Sequence, residues 1–528
     1  MKRLLLLTLP MLFILNTALF SQSIDNPEVD RDVVEQFIEE GIDNSEVMEI
    51  ASWLTDVYGP RLSNSPQMHN ASEFTRQWLE DIGLENSHLH RWGPFGKGWE
   101  LNRFSVHANS EYSYFPVIGY PKAWTPAHDG AVEGDVIYLD IESKEDLEQY
   151  RGQISDKYVM IDTPAEPEPS WDPIATRRSD SELLELANRG EQVQQERSGP
   201  SDEQIARAEL NYEIQKFLQE EQPLALLDYG YRGWYGQIAI SMASLPAEPG
   251  TPWGERPRPY DVDAPQAVPQ VSLVREHYGR IFRMLEKDVP VTIEMELDVT
   301  FQDDELYGHN TIAEIPGTDP DLKDEVVMLG AHLDSWHAAT GAADNASGSA
   351  VMMEVMRILK ETGVEPRRTV RIALWDGEEQ GLNGSREYVS EYFAAPGDNG
   401  EMEKTDQYEN FSAYYNIDNG TGQVRGIYMQ ENEALRPIFR TWLQPFEDWD
   451  ANTVSFGNTG STDHISFDRM GLPGFQFIQD PIEYFTMTHH SNQDYYERLV
   501  EQDLKRTAVI VATFVYHTAM LDERLPRK

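Results

Sequence analysis

The feature that most constrains the fold of this chain is an alternation of strand-length and helix-length apolar segments that begins near residue 296. Four short apolar runs are typical of buried strands: DEVVMLGA, RRTVRIALW, SAYYNI and GFQFI. NASGSAVMMEVMRILKET has the spacing of a helix with one buried side, and LVEQDLKRTAVIVATFVYHTAM predicts a final helix. Strands that alternate with helices predict an α/β fold with a mainly parallel sheet flanked by helices.

Side chains that can bind metal ions follow these predicted strands. Parallel strands end at the same edge of a sheet, and in open α/β sheets binding sites form beyond that edge. One such residue alone would be a weak indication, but several in this order form a strong one. The residues are His332, Asp344, Glu378, Glu379, Asp418 and His490.

This set of side chains suits a pair of divalent cations. The chain has no cysteine, so zinc would have to be held by His, Asp and Glu. Asp334 lies two residues after His332, and on an extended backbone it shares a face with that imidazole and could orient it. The adjacent Glu378 and Glu379 can divide the work, one binding metal and the other accepting a proton from water.

Each of these residues also has an ordinary structural interpretation. Asp344 stands where a helix is predicted to begin and could cap it. Asp334 could be a solvated turn residue. A pair such as Glu378 and Glu379 is, by itself, more often part of a surface loop. The functional interpretation is favoured because four motifs occur together at predicted strand ends, those with His332, the glutamate pair, Asp418 and His490.

Three further histidines lie near these motifs: His337, His464 and His489. A lone histidine is more often a hydrogen-bonded structural residue than a metal ligand. We therefore expect structural roles for them. His464, in STDHISF, is the best candidate for a contact with substrate or with a ligand residue.

Charge and composition exclude several classes of protein. Asp and Glu number 91 against 43 Lys and Arg, which gives a net charge of −48. Nucleic-acid-binding proteins normally present a basic face, so nucleic acid is not an expected partner. Without cysteine, disulfides and thiolate nucleophiles are excluded. The sequence also contains no HExxH, GxSxG or P-loop motif.

The N-terminal segment has the pattern of an export signal. Lys2 and Arg3 precede an apolar run at residues 4–20, and small or polar residues follow. We expect residues 1–21 to be a signal peptide. The remaining chain would then be exported to the periplasm or secreted, without stable membrane insertion.

The length of 528 residues predicts more than one domain. We predict an α/β unit formed by residues 28–114 and 296–528, interrupted by an inserted β-rich domain at 115–295. Strands are predicted in GAVEGDVIYLD, DKYVMIDTP, LALLDYG and QIAISMAS. The polar stretch at about 175–210 predicts an exposed helical insertion.

Taken together, GAHLDSW, GAADNASG, GEEQGLNGS, NIDNG and HHSNQD resemble the two-zinc exopeptidases, which include leucyl aminopeptidases and glutamate carboxypeptidases. The resemblance is nearest to the carboxypeptidase Q branch, with which the chain shares the HLDSW opening and a HHS-type final motif. It also covers YGPRLSNSP, near the N-terminus. The inserted block is similar to a protease-associated domain.

The resemblance implies a role for each site residue. His332 and Asp418 would bind one metal ion, and Glu379 and His490 the other. Asp344 would bridge the two ions, and the peptide bond after it is a candidate for the cis form. Glu378 would be the catalytic base and acid, and Asp334 would orient the first imidazole. The implied cofactors are two Zn²⁺ ions, with Co²⁺ or Mn²⁺ also compatible with these ligands.

The resemblance thus implies a metal-dependent exopeptidase that hydrolyses dipeptides or peptide bonds at chain termini. An aminopeptidase, a carboxypeptidase and a dipeptidase all remain open, and the chain could pair as a homodimer. One alternative is an amidohydrolase of non-peptide substrates or a glutaminyl-cyclase-like acyltransferase on the same scaffold. Another is a catalytically silent binding protein.

Overall fold

A computed structural model describes residues 28–166, 168–190, 199–230, 232–233, 235–397 and 401–528. The expected signal peptide at 1–21 lies outside these described residues. The strands that the structure describes are numbered along the chain as β1 (Glu85–Trp92), β2 (Gly98–Asn109), β3 (Tyr114–Pro116), β4 (Gly119–Pro121), β5 (Ala131–Tyr138), β6 (Lys157–Met160), β7 (Ala225–Asp228), β8 (Gln270–Leu273), β9 (Thr292–Gln302), β10 (Gly308–Ile315), β11 (Val326–His332), β12 (Thr369–Trp375), β13 (Ala394–Pro396), β14 (Met402–Lys404), β15 (Phe411–Asn416), β16 (Val424–Tyr428), β17 (Thr453–Ser455) and β18 (Gly474–Gln479).

The α-helices of the same described residues are numbered in the same way. They are α1 (Arg31–Asp43), α2 (Val47–Ser52), α3 (Pro66–Asp81), α4 (Asp180–Ala187), α5 (Asp202–Glu221), α6 (Arg275–Leu285), α7 (Ser347–Glu361), α8 (Asn383–Tyr392), α9 (Arg436–Leu443), α10 (His464–Asp468) and α11 (Glu501–Met520).

The first large sheet has the strand order β1-β10-β12-β11-β15-β18-β16-β17. Its four central strands, β12, β11, β15 and β18, are parallel. Towards its edges the sheet also contains antiparallel pairs: β1 with β10, β10 with β12, and β16 with β18. The sheet is therefore mixed, with the predicted parallel pairing at its centre and again between β16 and β17.

Helices cover both faces of this sheet. One core joins it to α1, α2, α3, α7, α9 and α11, and a second core on the opposite side includes α8 and α10. Every residue of β11 is buried. This is expected for a strand covered on both faces, whose sequence is a continuous apolar run. The two helical layers leave the strand ends as the place where polar groups can gather.

A second large sheet has the order β3-β2-β9-β5-β6-β7-β8-β4 and its own core. It contains the strands predicted in GAVEGDVIYLD, DKYVMIDTP and LALLDYG, which are β5, β6 and β7. It also takes in β2 and the end of β9, which lie outside the expected limits of 115 and 295.

The strand predicted in QIAISMAS does not form. This segment makes isolated bridges instead, from Ala239 to Ser491 and from Met242 to Ala123. The physical reason is that its two bridges join it to different partners, so no single neighbouring strand pairs along its length. The prediction of a continuous strand was wrong there.

The polar insertion contains α4 and α5, separated by residues 191–198, which lie outside the described residues. Both helices begin at a serine whose side chain accepts a backbone N–H in a capping box. Among the helices that the structure describes, none combines the length and the apolar character needed to cross a membrane.

Candidate metal centre

The central parallel strands of the first sheet bring the predicted site residues to one edge. His332 is the last residue of β11. The glutamate pair at 378 and 379 follows β12, Asp418 follows β15, and the loop after β18 carries His490. Because these strands are adjacent and parallel, their carboxyl ends converge, and the structure places all of the predicted ligands within one cluster.

His332 faces two carboxylates. Its Nε2 lies 3.3 Å from Asp418 Oδ1 and 3.4 Å from Asp344 Oδ1. Its Nδ1 donates to the backbone carbonyl of Asp334 at 2.9 Å, which leaves the lone pair of a neutral ring on Nε2. Burial alone would lower the pKa of His332, but the neighbouring carboxylates, Asp418 first, raise it well above its usual value. The space between these atoms therefore attracts positive charge.

His490 forms the other half of the cluster. Its Nε2 lies 2.9 Å from Glu379 Oε2 and 3.6 Å from Asp344 Oδ2. Burial lowers the pKa of His490, so the ring is neutral near pH 7 and can offer a lone pair to a metal ion. The two imidazoles thus approach opposite oxygens of Asp344.

Asp344 sits in an irregular helical turn, Ala342–Ala346, just before α7. Its φ and ψ of −129° and 85° are not helical, and the N-cap of α7 is Ala346, which makes no side-chain cap. The interpretation of Asp344 as a helix cap is therefore wrong. The peptide bond from Asp344 to Asn345 is cis, as the resemblance implied.

Asp334 contacts the ring of His332 and also the backbone of the glutamate pair. Its carboxylate Oδ1 is 3.6 Å from His332 Nδ1, while its backbone carbonyl makes the closer contact with that ring. The carboxylate accepts the N–H groups of Glu378 and Glu379, each at 3.2 Å, and the hydroxyl of Ser63 at 3.0 Å. Asp334 therefore holds the backbone of the glutamate pair.

Glu378 is a carboxyl group in a low-dielectric, negatively charged setting. Burial raises its pKa well above the usual value, and the neighbouring Asp418 and Asp463 add to the effect, against the opposing influence of His332. Burial likewise raises the pKa of Glu379. A carboxyl group of raised pKa holds a proton more readily than an ordinary one, as a catalytic acid must.

The three histidines set aside in the sequence are buried or half-buried. His337 donates to the carbonyl of Pro121 at 2.7 Å, and His464 to that of Thr459 at 3.0 Å. Each ring therefore makes one hydrogen bond to the backbone, and the contact of His464 with substrate or with a ligand residue stays a prediction.

His489 is a different case, because it belongs to the site. Its ring stacks on that of His490 with centroids 3.7 Å apart, and its Nδ1 receives a hydrogen bond from Arg232 at 3.0 Å. It also lies close enough to Asp344 and His490 to share in a metal-binding group. The sequence analysis predicted a structural role for His489, because a lone histidine is more often structural than a metal ligand.

Sequence reasoning missed two residues that hold Asp344. The Asp494 carboxylate accepts the N–H of Ala343 at 2.6 Å and that of Asp344 at 2.9 Å. The hydroxyl of Tyr484 donates to Asp344 Oδ1 at 3.1 Å. Asp494 follows His490 by four residues in the HHSNQD motif, which was a usable signal. Nothing in the local pattern singled out Tyr484.

The donor set fits divalent cations. Asp344 Oδ2 and Glu379 Oε1 are buried and have no hydrogen-bond partner. Two groups of potential ligand atoms meet at Asp344, one with His332 and Asp418 and one with the histidine pair at 489 and 490. Buried carboxylates without donors are costly unless a cation binds them, and imidazole with carboxylate is a usual ligand set for zinc.

Part of this chain is similar in sequence to known peptidases. Residues 310–515 match the model of peptidase family M28. Carboxypeptidase Q of Mus musculus is 28% identical over 266 residues, which are 50% of this chain and 53% of that protein. Leupeptin-inactivating enzyme 1 of Streptomyces exfoliatus is 31% identical over 175 residues, 33% of this chain and 36% of that protein. The match thus spans about half the length of the carboxypeptidase Q sequence.

Two solved structures share the fold over most of the chain. A peptidase M28 precursor from Shewanella amazonensis superposes with a TM-score of 0.64 at 21% identity, covering 94% of this chain and 98% of that one. A zinc aminopeptidase from Bacillus subtilis gives a TM-score of 0.53 at 16% identity, covering 89% and 93%. These similarities establish a common architecture of large sheets flanked by helices.

Proposed function

We propose that this chain, whose residues 310–515 match the model of peptidase family M28 and which is similar to carboxypeptidase Q, is a dinuclear, metal-dependent exopeptidase. Its substrates would be dipeptides or the terminal residues of short peptides. The two-zinc centre is part of the proposal, with Co²⁺ or Mn²⁺ as other ions that the ligands suit.

The position of Asp344 between the two imidazoles carries this proposal. Its Oδ1 is 3.4 Å from His332 Nε2, and its Oδ2 is 3.6 Å from His490 Nε2. One carboxylate that faces a different imidazole with each oxygen is the arrangement that a bridging ligand requires. We assign His332 and Asp418 to one ion, and Glu379 and His490 to the other.

Bound divalent cations would polarise the scissile carbonyl and lower the pKa of water. Glu378 would take the proton of the attacking water and return it to the departing amine. The raised pKa of its carboxyl group, caused first by burial, supports that role because the group can hold the proton between the two steps. Asp334 would keep Glu378 in place through the backbone N–H that it accepts.

The second sheet borders this site and is proposed to be a protease-associated-like domain inserted at 115–295 between the two parts of the peptidase domain, 28–114 and 296–528. Its contacts support an active site between the two units: Pro121 of β4 accepts a hydrogen bond from His337, close to the HLDSW motif.

Export after removal of residues 1–21 is likewise a proposal, supported by the apolar N-terminal run.

The test is hydrolysis of a panel of dipeptides with free, N-blocked or C-blocked ends, before and after treatment with a chelator. We expect cleavage that the chelator abolishes and added Zn²⁺ restores. Failure only on N-blocked peptides would identify an aminopeptidase, and failure only on C-blocked peptides a carboxypeptidase. Failure on both would identify a dipeptidase. Absence of cleavage despite two bound ions would overturn the peptidase assignment.

A further inference from the structure

The loop that carries His490 is held by the second-sheet unit as well as by its own domain. We call residues 480–490 the His490 loop; it starts at the end of β18 and contains Tyr484. On one side, the backbone N–H of Ile240 donates to the carbonyl of His490 at 2.8 Å. Residues 172–189, here called the arm, contact the other side. The arm leaves the second sheet after β6 and includes α4.

Backbone and side-chain contacts tie the arm to the His490 loop. Thr176 N–H donates to the carbonyl of Ile482 at 2.9 Å, an isolated antiparallel bridge. The hydroxyl of Thr486 donates to the carbonyl of Ile174 at 2.7 Å. The arm therefore runs alongside the loop from its start to a point four residues before His490.

Arg177 adds an ionic contact beneath the loop. Its Nη1 lies 2.9 Å from Asp480 Oδ2 and 2.7 Å from Asp503 Oδ2. The two carboxylates are nearly inaccessible, with side-chain exposures of 1% and 5%, whereas that of Arg177 is 49%. A cation of the second-sheet unit thus neutralises buried carboxylates at the first residue of the His490 loop and in α11.

The two aspartates have different additional partners. Asp480 also pairs with Arg425 at 2.9 Å and accepts the N–H of Arg178. Asp503 also accepts the backbone N–H of Gln423 at 3.1 Å. Loss of Arg177 would leave Asp480 paired but would remove the ion pair of Asp503. Leaving one partner of a buried pair uncompensated destabilises the surrounding structure strongly.

We propose that Arg177 is a positioning residue for the metal site: by joining Asp480 to Asp503 it holds the start of the His490 loop, and so keeps His490 beside Asp344 and Glu379. The second-sheet unit is then a structural part of the site. This inference rests on the proposed metal centre. It assigns a role to the polar insertion, whose arm reaches the catalytic domain.

The experiment compares R177Q and R177K with R151Q as a matched control. Arg151 also pairs with several glutamates, and its side-chain exposure is 46%, but its partners all lie within the second-sheet unit. Zn²⁺ is titrated into each metal-free, full-length protein by calorimetry, with H490A as the reference for loss of one site. Amide hydrogen exchange of residues 480–490 is measured in the same metal-free proteins.

We expect R177Q to bind one Zn²⁺ about 10- to 100-fold more weakly, the range seen when residues that orient metal ligands are changed. Its remaining site should resemble that of H490A, and its His490 loop should exchange faster. R177K should recover part of both effects, and R151Q should behave as the wild type. A merely structural role would lower the thermal midpoint without changing the affinity of one site.

Unchanged Zn²⁺ affinities and unchanged exchange of the loop in R177Q would overturn the inference. Binding of no Zn²⁺ by the wild type would instead overturn the proposed metal centre. In that case the exchange measurement still decides whether Arg177 holds the loop, because it uses the metal-free protein.

Discussion

At the scale of single residues, the site is organised around carboxyl groups whose surroundings differ. Asp344 is flanked by both imidazoles, and the pKa of its carboxyl is held below the usual value because His332 and the neighbouring histidines outweigh the effect of burial. Glu378 lies among carboxylates, and the pKa of its carboxyl is raised by burial. The two groups are therefore suited to different tasks, one as an anionic ligand and the other as a proton carrier.

Replacing Glu378 with Gln tests the proton carrier. We expect kcat to fall about 10²- to 10⁴-fold, the usual contribution of a general acid or base, while the bound zinc remains unchanged because this side chain is not an assigned ligand. Steady-state kinetics and metal analysis of the same preparation measure both effects. Glu387, exposed on α8, gives the control variant E387Q. Full activity of E378Q would refute the role.

Replacing Asp344 with Ala tests the bridge. Because this carboxylate faces both imidazoles, we expect its loss to weaken both metal sites, by more than the about 10- to 100-fold typical of residues that only orient ligands. Zinc content after dialysis is the measurement, and the exposed Asp324 provides the control D324A. If D344A retained the wild-type zinc content, the bridging assignment would have to be abandoned.

At the scale of elements, the site depends on contacts between segments far apart in the chain. In the turn Ala342–Ala346, the backbone N–H groups of Ala343 and Asp344 donate to the carboxylate of Asp494. Asp494 lies beyond the His490 loop in the sequence, and these hydrogen bonds hold Asp344 in place. Asp494 is buried, and burial together with Asp344 raises the pKa of its carboxyl to about 7. The turn and the loop therefore form one hydrogen-bonded unit.

Replacing Asp494 with Ala would leave two buried N–H groups without an acceptor. Each such group costs about 1–3 kcal/mol, so we expect the free energy of unfolding of the metal-free protein to fall by about 2–6 kcal/mol. D494N keeps one carbonyl oxygen and should lose less. Urea unfolding gives both values. Equal stability of D494A and the wild type would show that water replaces the carboxylate at this turn.

At the scale of the whole molecule, the protein combines a net charge of −48 with a buried group of acids at the strand ends. Burial raises the pKa of Asp463 and of Asp494 to about 7 and raises the pKa values of Glu378 and Glu379. The folded, metal-free protein then binds more protons than the unfolded chain between the ordinary Asp pKa of about 4 and about 7, so its stability decreases as pH rises through that window.

This linkage predicts that removal of the metal ions lowers the stability of the protein most at high pH. Bound cations would replace the missing protons, so we expect a chelator to lower the thermal midpoint strongly at pH 8 and only slightly at pH 5. Calorimetric scans with and without chelator measure the difference. Scans in about 1 M salt, where the Debye length is about 3 Å, separate surface repulsion from the buried group. An equal effect of the chelator at both pH values would contradict the linkage.

The sequence by itself determined the central strands, the main helices and the residues that gather at the strand ends. β11, β12, β15 and β18 form where apolar runs predicted them, because a strand covered on both faces has to be continuously apolar. The order of those strands cannot be read from the runs, but parallel neighbours bring their carboxyl ends together in any order. That is why His332, Asp344, Glu378, Glu379, Asp418 and His490 could be named in advance as one cluster.

Only the tertiary structure decided how those residues are held. The partners of Asp344 and Asp480 lie up to several hundred positions away: Asp494 and Tyr484 for the first, and Arg177 for the second. Neither periodicity nor motif spacing carries information about such pairs, because they depend on where loops cross in space. The prediction of a strand in QIAISMAS was wrong for the same reason: the segment makes isolated bridges to Ser491 and Ala123 instead of pairing with a neighbouring strand in one sheet.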